Sequence, residues 1–277
     1  NKAIDLRVLT GDKKGTAYSL NNIGNVYMKQ YDYAKALDYY NKSLKIRREL
    51  KDTDDISSSL NNIGNLYIQL NKYNEALEYL NQALQLRQTS KDKKMTAYSL
   101  NAIGNFYLQM KIYDKAQEYY MQSLSIRQEL GDKNDIAGSL NNMGTVHRDL
   151  DDFDKAFDYY KKALNLYEEV GNKEAAAFTL NYMGSLHIKR KLFSEAEKYY
   201  KEALELRKKI GNNSSIASSL ENIGILYKQT GKINESLDFY QQALDVYMTL
   251  NDQNGIAYIQ NLKGNVYKTL KEYDKAL

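Results

Sequence analysis

The chain has 277 residues, a formal charge of +4, 27% charged and 43% apolar residues, an ordinary balance for a water-soluble protein. The charge is too small to imply nucleic acid by itself, and no apolar run approaches the ~18 residues a membrane span needs. Cysteine is absent, which excludes disulfides and thiolate chemistry. Proline is absent too, where average usage would give about 14, and a chain without its main helix breaker suits a nearly all-helical fold.

One stretch sets the frame. Ser19-Leu20-Asn21-Asn22-Ile23-Gly24-Asn25-Val26-Tyr27 returns around Gly64, Gly104, Gly144, Gly184, Gly224 and Gly264, 40 residues apart each time. A fixed period in this range predicts a solenoid, in which each repeat covers the apolar face of its neighbour.

In chain order, residues 1–10 read as the end of a helix, with Asn1-Lys2-Ala3-Ile4 in phase with Asn41-Lys42-Ser43-Leu44. A first helix is expected from about Thr16 to Gln30, where Leu20, Ile23 and Tyr27 fall on one face at i, i+3, i+7. Gly24 lies on that face. A mid-helix glycine costs roughly 1 kcal/mol against alanine, so its recurrence predicts a close approach by a second helix. That helix is expected from about Ala34 to Leu50, with Ala36 and Ser43 as the small residues facing the glycine.

Asn74, Asp114, Asp154, Ser194, Asn234 and Asp274 stand where capping residues of the second helices are expected, Ser194 with Glu197 and Asp114 with Gln117 at capping-box spacing. Gly131-Asp132, Gly171-Asn172 and Gly211-Asn212 close the second helices by a left-handed turn. Full repeats are expected at about 16–55, 56–95, 96–135, 136–175, 176–215 and 216–255, with partial ones at 1–15 and 256–277, in one solenoid domain spanning 1–277. Tyr273 to Leu277 stop where another helix should begin, so the chain reads as a fragment of a longer protein. No signal peptide or targeting motif is visible, which favours the cytoplasm without fixing a compartment.

Leu20, Ile23, Gly24 and Tyr27, followed by Ala36, Tyr40 and Ser43, resemble the tetratricopeptide repeat, with leucine in place of the family's tryptophan. The departures are a missing terminal proline and six extra residues per unit. The 40-residue period is similar to long-helix variants in Pins-type adaptors and in bacterial sensor and regulator domains. The resemblance implies an all-α, right-handed superhelix of antiparallel helix–turn–helix repeats with the glycine-bearing helices on its inner wall. It also implies a binding scaffold, with no catalysis and no cofactor.

Two asparagine rows are then candidates for the groove. Three residues before the glycine stand Asn21, Asn61, Asn101, Asn141, Asn181, Glu221 and Asn261; one residue after it stand Asn25, Asn65, Asn105, Thr145, Ser185, Ile225 and Asn265. These positions are i, i+4 neighbours and share a face. Asparagine is a poor helix former, and its amide offers two donors and an acceptor, suited to gripping a peptide backbone. The competing reading is a ladder in which the amides bond one another and stiffen the stack. Tyr18, Tyr98 and Met28 add apolar contacts, while Arg148, Lys189 and Lys228 make the C-terminal half basic, so a ligand with an apolar and an acidic stretch is expected.

Signals for chemistry are sparse. His147 and His187 both take the place of Tyr27, 40 residues apart, and packing in a tyrosine's place is favoured over a two-histidine metal site. No Walker loop, GxSxG or HExxH occurs. Glu168-Glu169 reads as a solvated helix face. The first functional reading is a non-enzymatic scaffold for a peptide or protein segment. The second is a sensor or regulatory module of a larger signalling protein, a kinase or transcription regulator. Single-stranded RNA is a third, opposed by the near-uniform asparagine row, and neither nucleic acid nor membrane is expected as partner. Uncovered ends of such an array invite end-to-end self-association.

Overall fold

The computed structural model describes residues 6, 7 and 9–271. The expected helix end at Asn1 to Ile4 and the stop at Tyr273 to Leu277, with Asp274, lie outside the described residues. Between residues 13 and 269 run thirteen α-helices, and no strand occurs among the described residues. They are α1 (Lys13–Lys29), α2 (Tyr33–Leu50), α3 (Thr53–Gln69), α4 (Tyr73–Thr89), α5 (Lys93–Gln109), α6 (Tyr113–Leu130), α7 (Lys133–Asp149), α8 (Phe153–Glu169), α9 (Lys173–Lys189), α10 (Phe193–Ile210), α11 (Asn213–Gln229), α12 (Ile233–Thr249) and α13 (Gln253–Thr269). Odd helices carry the glycine and even helices return against them. The fold is an all-α solenoid of helix–turn–helix repeats. Two compact units divide it, one ending at Gly131 and one beginning at Asp132. None of these helices is long and apolar enough to cross a membrane.

The turns are more regular than the 40-residue period required. One residue with positive φ falls every 20 residues, from Gly11 and Tyr31 to Asn251 and Lys271. Both kinds of turn, within and between hairpins, therefore use the same left-handed residue. Gly131 and Gly211 are such C-caps, as expected.

Capping differs from the expectation. Asn74, Asp114, Asp154, Ser194 and Asn234 are the second residues of their helices, and the caps are Lys72, Ile112, Asp152, Leu192 and Lys232. None of those five makes a side-chain cap bond. Side-chain caps stand on every odd helix, where Asp12, Asp52, Asp92, Asp132, Asn172, Asn212 and Asp252 each accept from an N–H of the first turn, and among the even helices on α2, where Asp32 accepts from the Lys35 N–H. The Gly-Asp pair thus ends one helix and starts the next.

Within a hairpin the glycine does admit the second helix, but a ring fills most of the space. A Cβ on Gly24 would lie 2.6 Å from the Tyr40 ring and 3.3 Å from the Ala36 carbonyl oxygen. Tyr120, Tyr160, Tyr200 and Tyr240 sit over their glycines in the same way, and Leu80 over Gly64. Ala36 is fully buried. Ser43, also buried, donates to the Ala17 carbonyl at 2.7 Å, and Ser123 to Ala97 at 2.8 Å. A hydroxyl at this place ties the two helices together where alanine only fills.

Between hairpins the tie is a buried arginine. Arg47 donates to the Asp55 carbonyl (2.8 Å) and Ser59 Oγ (2.9 Å). Arg87 does the same with Met95 and Ser99, and Arg207 with Ser215 and Ser219. Each fastens an even helix to the following odd one. Arg207 is fully buried; burial lowers its pKa, with Glu174 opposing. A buried charge is tolerable here because Nη1 is hydrogen-bonded and the Glu174 carboxylate lies 3.7 Å from Nε, which itself makes no hydrogen bond.

Candidate functional site

On each odd helix four positions form one stripe at i, i+3, i+7, i+10. In the first unit the stripes are Tyr18, Asn21, Asn25, Met28 on α1; Ser58, Asn61, Asn65, Ile68 on α3; and Tyr98, Asn101, Asn105, Leu108 on α5. In the second unit α7 carries Gly138, Asn141, Thr145, Arg148 and α9 carries Phe178, Asn181, Ser185, Ile188. Ser218, Glu221, Ile225 and Lys228 follow on α11. Successive odd helices are laced side by side. Asn62 Nδ2 donates to Asn21 Oδ1 at 2.9 Å, and Asn141 Nδ2 to Thr179 Oγ1 at 2.8 Å.

The two asparagine rows differ in character. The row after the glycine is exposed at Asn25, Asn65 and Asn105. The tyrosine over each glycine reaches it: Tyr40 Oη donates to Asn25 Oδ1 at 2.8 Å and Tyr120 Oη to Asn105 Oδ1 at 2.6 Å. In the second unit Thr145 takes that place, 3.2 Å from Tyr160 Oη. The row before the glycine is buried at Asn21 and Asn141 and half-buried at Asn61, Asn101 and Asn181. With its amide oriented to satisfy the network, Asn181 accepts from Arg207 Nη1 at 2.8 Å. Part of the asparagine set is therefore internal lacing, and the outer row remains open to a ligand.

The basic end is not an uncompensated patch. Arg148 Nε donates to Asp149 Oδ1 at 3.0 Å and its Nη1 to Ser185 Oγ at 3.3 Å. Lys189 Nζ donates to the Arg148 carbonyl at 3.0 Å and to Asp151 Oδ1 at 3.2 Å. Asp149 and Asp151 follow Arg148 closely in sequence, and the helix end folds them back onto both cations. Lys228, half-buried, has no ion pair among the described residues. Burial pushes the phenols of Tyr160 and Tyr200 up to about 12 and raises the Glu221 carboxyl.

The histidines pack as tyrosines do. His147 stacks on Tyr159 at 5.3 Å and His187 on Tyr199 at 5.2 Å, as Tyr27 stacks on Tyr39 at 5.4 Å. Each ring thus stacks within its own hairpin. His147 Nδ1 lies 3.3 Å from Asp152 Oδ2, whereas both ring nitrogens of His187 are buried without a partner. Burial holds the His187 imidazole below its ordinary pKa; Arg190 acts in the same direction and Glu195 against it. Among the described residues, no three His, Cys, Asp or Glu side chains are placed to hold a metal ion.

One regularity escaped the 40-residue reading. The stripe begins with an aromatic ring in every second repeat, at Tyr18, Tyr98, Phe178 and Tyr258, with Ser58, Gly138 and Ser218 between. The reason lies 29 residues downstream, on the even helix of the same hairpin. There Arg127 lies over Tyr98 (5.0 Å) and Arg207 over Phe178 (4.5 Å). Where the stripe begins with Gly138 or Ser218, the even helix brings its own ring, Tyr167 or Tyr247. Where it begins with Ser58, Arg87 Nη2 donates to the hydroxyl at 3.3 Å. The alternation was visible as an 80-residue period in one column of the repeat.

A cleft of about 440 Å³ also opens between the even helices α2 and α4, lined by Arg48, Ile56, Leu60, Gln82, Gln85, Leu86 and Thr89. It shares no residue with the stripes.

Hairpins repeated in register, with a glycine under each returning ring, define a helical-hairpin repeat protein. The chain belongs to the tetratricopeptide repeat family, whose model matches residues 15–89, 95–169, 135–209, 174–249 and 215–277. No curated protein sequence matches it. Solved structures share the fold at low identity. BtubC from P. vanneervenii is 19% identical over 79% of this chain and 92% of its own, with a TM-score of 0.67. The Rap conjugation gene regulator of plasmid pLS20, solved with a Phr peptide, is 17% identical over 96% of this chain and 74% of its own, with a TM-score of 0.67. A signal transduction ATPase from Pyrococcus horikoshii with a tetratricopeptide repeat sensor is 16% identical over 95% of this chain and 42% of its own, with a TM-score of 0.67.

Proposed function

We propose that the chain is a non-catalytic scaffold whose odd helices form a groove for a peptide or an extended segment of a partner protein. The observation that carries this reading is the exposed row Asn25, Asn65 and Asn105 on three successive odd helices. Asparagine costs about 0.5 kcal/mol per helical position against alanine, and half of each amide is left for a ligand. The buried amides Asn21 and Asn141 set the row's spacing from behind, with Asn61, Asn101 and Asn181. Tyr18, Tyr98 and Met28 supply apolar contacts. Lys228, which has no ion pair among the described residues, offers a cation to an acidic stretch, with Arg148 and Lys189 contributing through their mixed-charge cluster. The pLS20 regulator, solved with a peptide on the same fold, supports the reading.

Changing Asn61, Asn65, Asn101 and Asn105 together to alanine tests it. Proteins retained by the wild-type chain should be lost from the variant, and a purified partner should titrate at least tenfold more weakly, as two or more lost hydrogen bonds require. Equal binding by a variant of unchanged helicity refutes the groove. A second reading makes the chain the sensor of a larger signalling protein. The repeat sensor of the P. horikoshii ATPase, with the matched part only 42% of that chain, favours it.

A further inference from the structure

The groove reading says nothing of what the ligand is made of, and the direction of the amides does. In the first unit the oxygen ends of four stripe asparagines are turned into the protein. Asn25 Oδ1 accepts from Tyr40, Asn105 Oδ1 from Tyr120 and Asn21 Oδ1 from Asn62, while Asn61 Oδ1 is buried. The tyrosines cannot swing away, because both rings are buried in the hairpin core. An amide pinned by its oxygen turns its NH2 outward. Asn65 alone in the exposed row is unpinned, since Leu80 stands where the other hairpins have tyrosine. At Asn25 and Asn105 the outer row therefore presents donors.

Two rings flank that row. Tyr18 on α1 is 59% exposed and Tyr98 on α5 is 38% exposed, the latter backed by the Arg127 guanidinium, with Ser58 between them on α3. The far end of the three stripes is apolar, at Met28, Ile68 and Leu108.

An ordinary extended chain brings alternating C=O and N–H groups. Against a donor row its N–H groups would be desolvated without partners, and each such group costs more than a hydrogen bond returns. Carboxylates would satisfy the donors, but no cation stands on these three stripes to offset their desolvation. A proline-rich segment meets every condition. It carries carbonyl oxygens with few N–H groups, its extended helix is preformed, and its rings pack on tyrosine faces as in other aromatic-lined grooves.

Resting on the groove reading, we propose that the first unit holds a proline-rich extended segment, with the Asn25 and Asn105 amide nitrogens on its carbonyls and its rings against Tyr18 and Tyr98. The test uses the whole chain and three fluorescein-labelled dodecapeptides of alternating Pro-Ala, Ser-Ala and Asp-Ala, read by anisotropy. The Pro-Ala peptide should bind on the order of tenfold more tightly than either of the others, the worth of two hydrogen bonds. Asn25→Asp with Asn105→Asp keeps the tyrosine bonds and replaces each outward NH2 by an oxygen, so Pro-Ala binding should fall by about the same factor. Tyr40→Phe with Tyr120→Phe frees the amides to rotate, and the gap between Pro-Ala and Ser-Ala should narrow. A role in folding alone would not move that ratio. Ser-Ala or Asp-Ala binding as tightly as Pro-Ala, or a double Asp variant of native helicity binding Pro-Ala undiminished, overturns the proposal and leaves the groove standing. Binding of none of the three overturns it too, and loss of the partner in the alanine variant above remains the separate test of the groove.

Discussion

A glycine under a tyrosine ring is the smallest unit from which this fold is built, and it can be tested singly. Gly144→Ala places a methyl carbon 2.6 Å from the Tyr160 ring, which is itself fully buried and cannot retreat. Overpacking of this kind costs about 1–3 kcal/mol, measured as a lowered urea midpoint. Adding Tyr160→Leu should return part of it, because the Gly64 hairpin already uses Leu80, whose Cγ and Cδ2 lie 2.9 and 3.0 Å from the same position. A double variant no more stable than the single one contradicts the ring as the cause. The His187 imidazole is a second single-residue case. Its pKa is lowered in the folded protein, by burial first, so the unfolded chain takes up its proton first as pH falls. The folded state should hold its stability above about pH 6.5, lose it as pH drops through that ordinary value, and level off below the lowered one. The groups facing the ring, Arg190, Glu195, Tyr199 and Phe157, include only one carboxylate to oppose this. His187→Tyr restores the residue found at Tyr27, Tyr67, Tyr107, Tyr227 and Tyr267. It should flatten the stability difference between pH 8 and pH 5; an unchanged profile would place the pH dependence elsewhere.

At the level of the helix, the hydropathy pattern fixed which face is buried, and the glycine column fixed which helices pair. Both are local and periodic, so they were legible. Helix ends were less so. Asn74 and its counterparts look like caps by type, yet a left-handed residue at 31, 51, 71 and onward sets each helix start one residue after the next position. That conformation is taken by Tyr31, Lys51 and Lys111 as readily as by glycine here, so residue type did not announce it. Asp12, Asp52 and Asp92 are side-chain caps, each one residue after a left-handed one. The arginine column was hidden for another reason. A charged residue on an amphipathic helix reads as solvated, and only the serine 12 residues later reveals a buried partner. Arg47 with Ser59, Arg87 with Ser99 and Arg207 with Ser219 pair so, while Tyr167 pairs in register with Thr179 and Tyr247 with Ile259. The candidate site was legible as a row but not as a polarity. Which end of an amide faces out depends on Tyr40 and Tyr120, which come from a different helix. The basic end misled for the same reason, since Asp149 and Asp151 close on Arg148 and Lys189 only once α7 ends and α9 packs beside it.

At the largest scale, stability is distributed along an array: within each of the two units every helix packs on its sequence neighbours, and contacts between helices further apart in the chain are few. In such arrays the total is close to a sum of repeat terms and nearest-neighbour interfaces. The second unit begins at Asp132, the side-chain cap of α7, and holds three complete hairpins and α13. Its core is continuous from Ala196 and Tyr200 through Leu220, Ile223, Tyr240 and Leu244 to Ile259 and Val266. Three hairpins meet the minimum that a repeat array needs for stability. A chain of residues 132–277 should therefore be helical by circular dichroism and unfold cooperatively, at a lower temperature than the full chain, because fewer interfaces contribute to it. Its His187 transition with pH should survive, since every group facing that ring lies within the segment. A non-helical segment, or one that melts without cooperativity, would mean that folding requires the complete array.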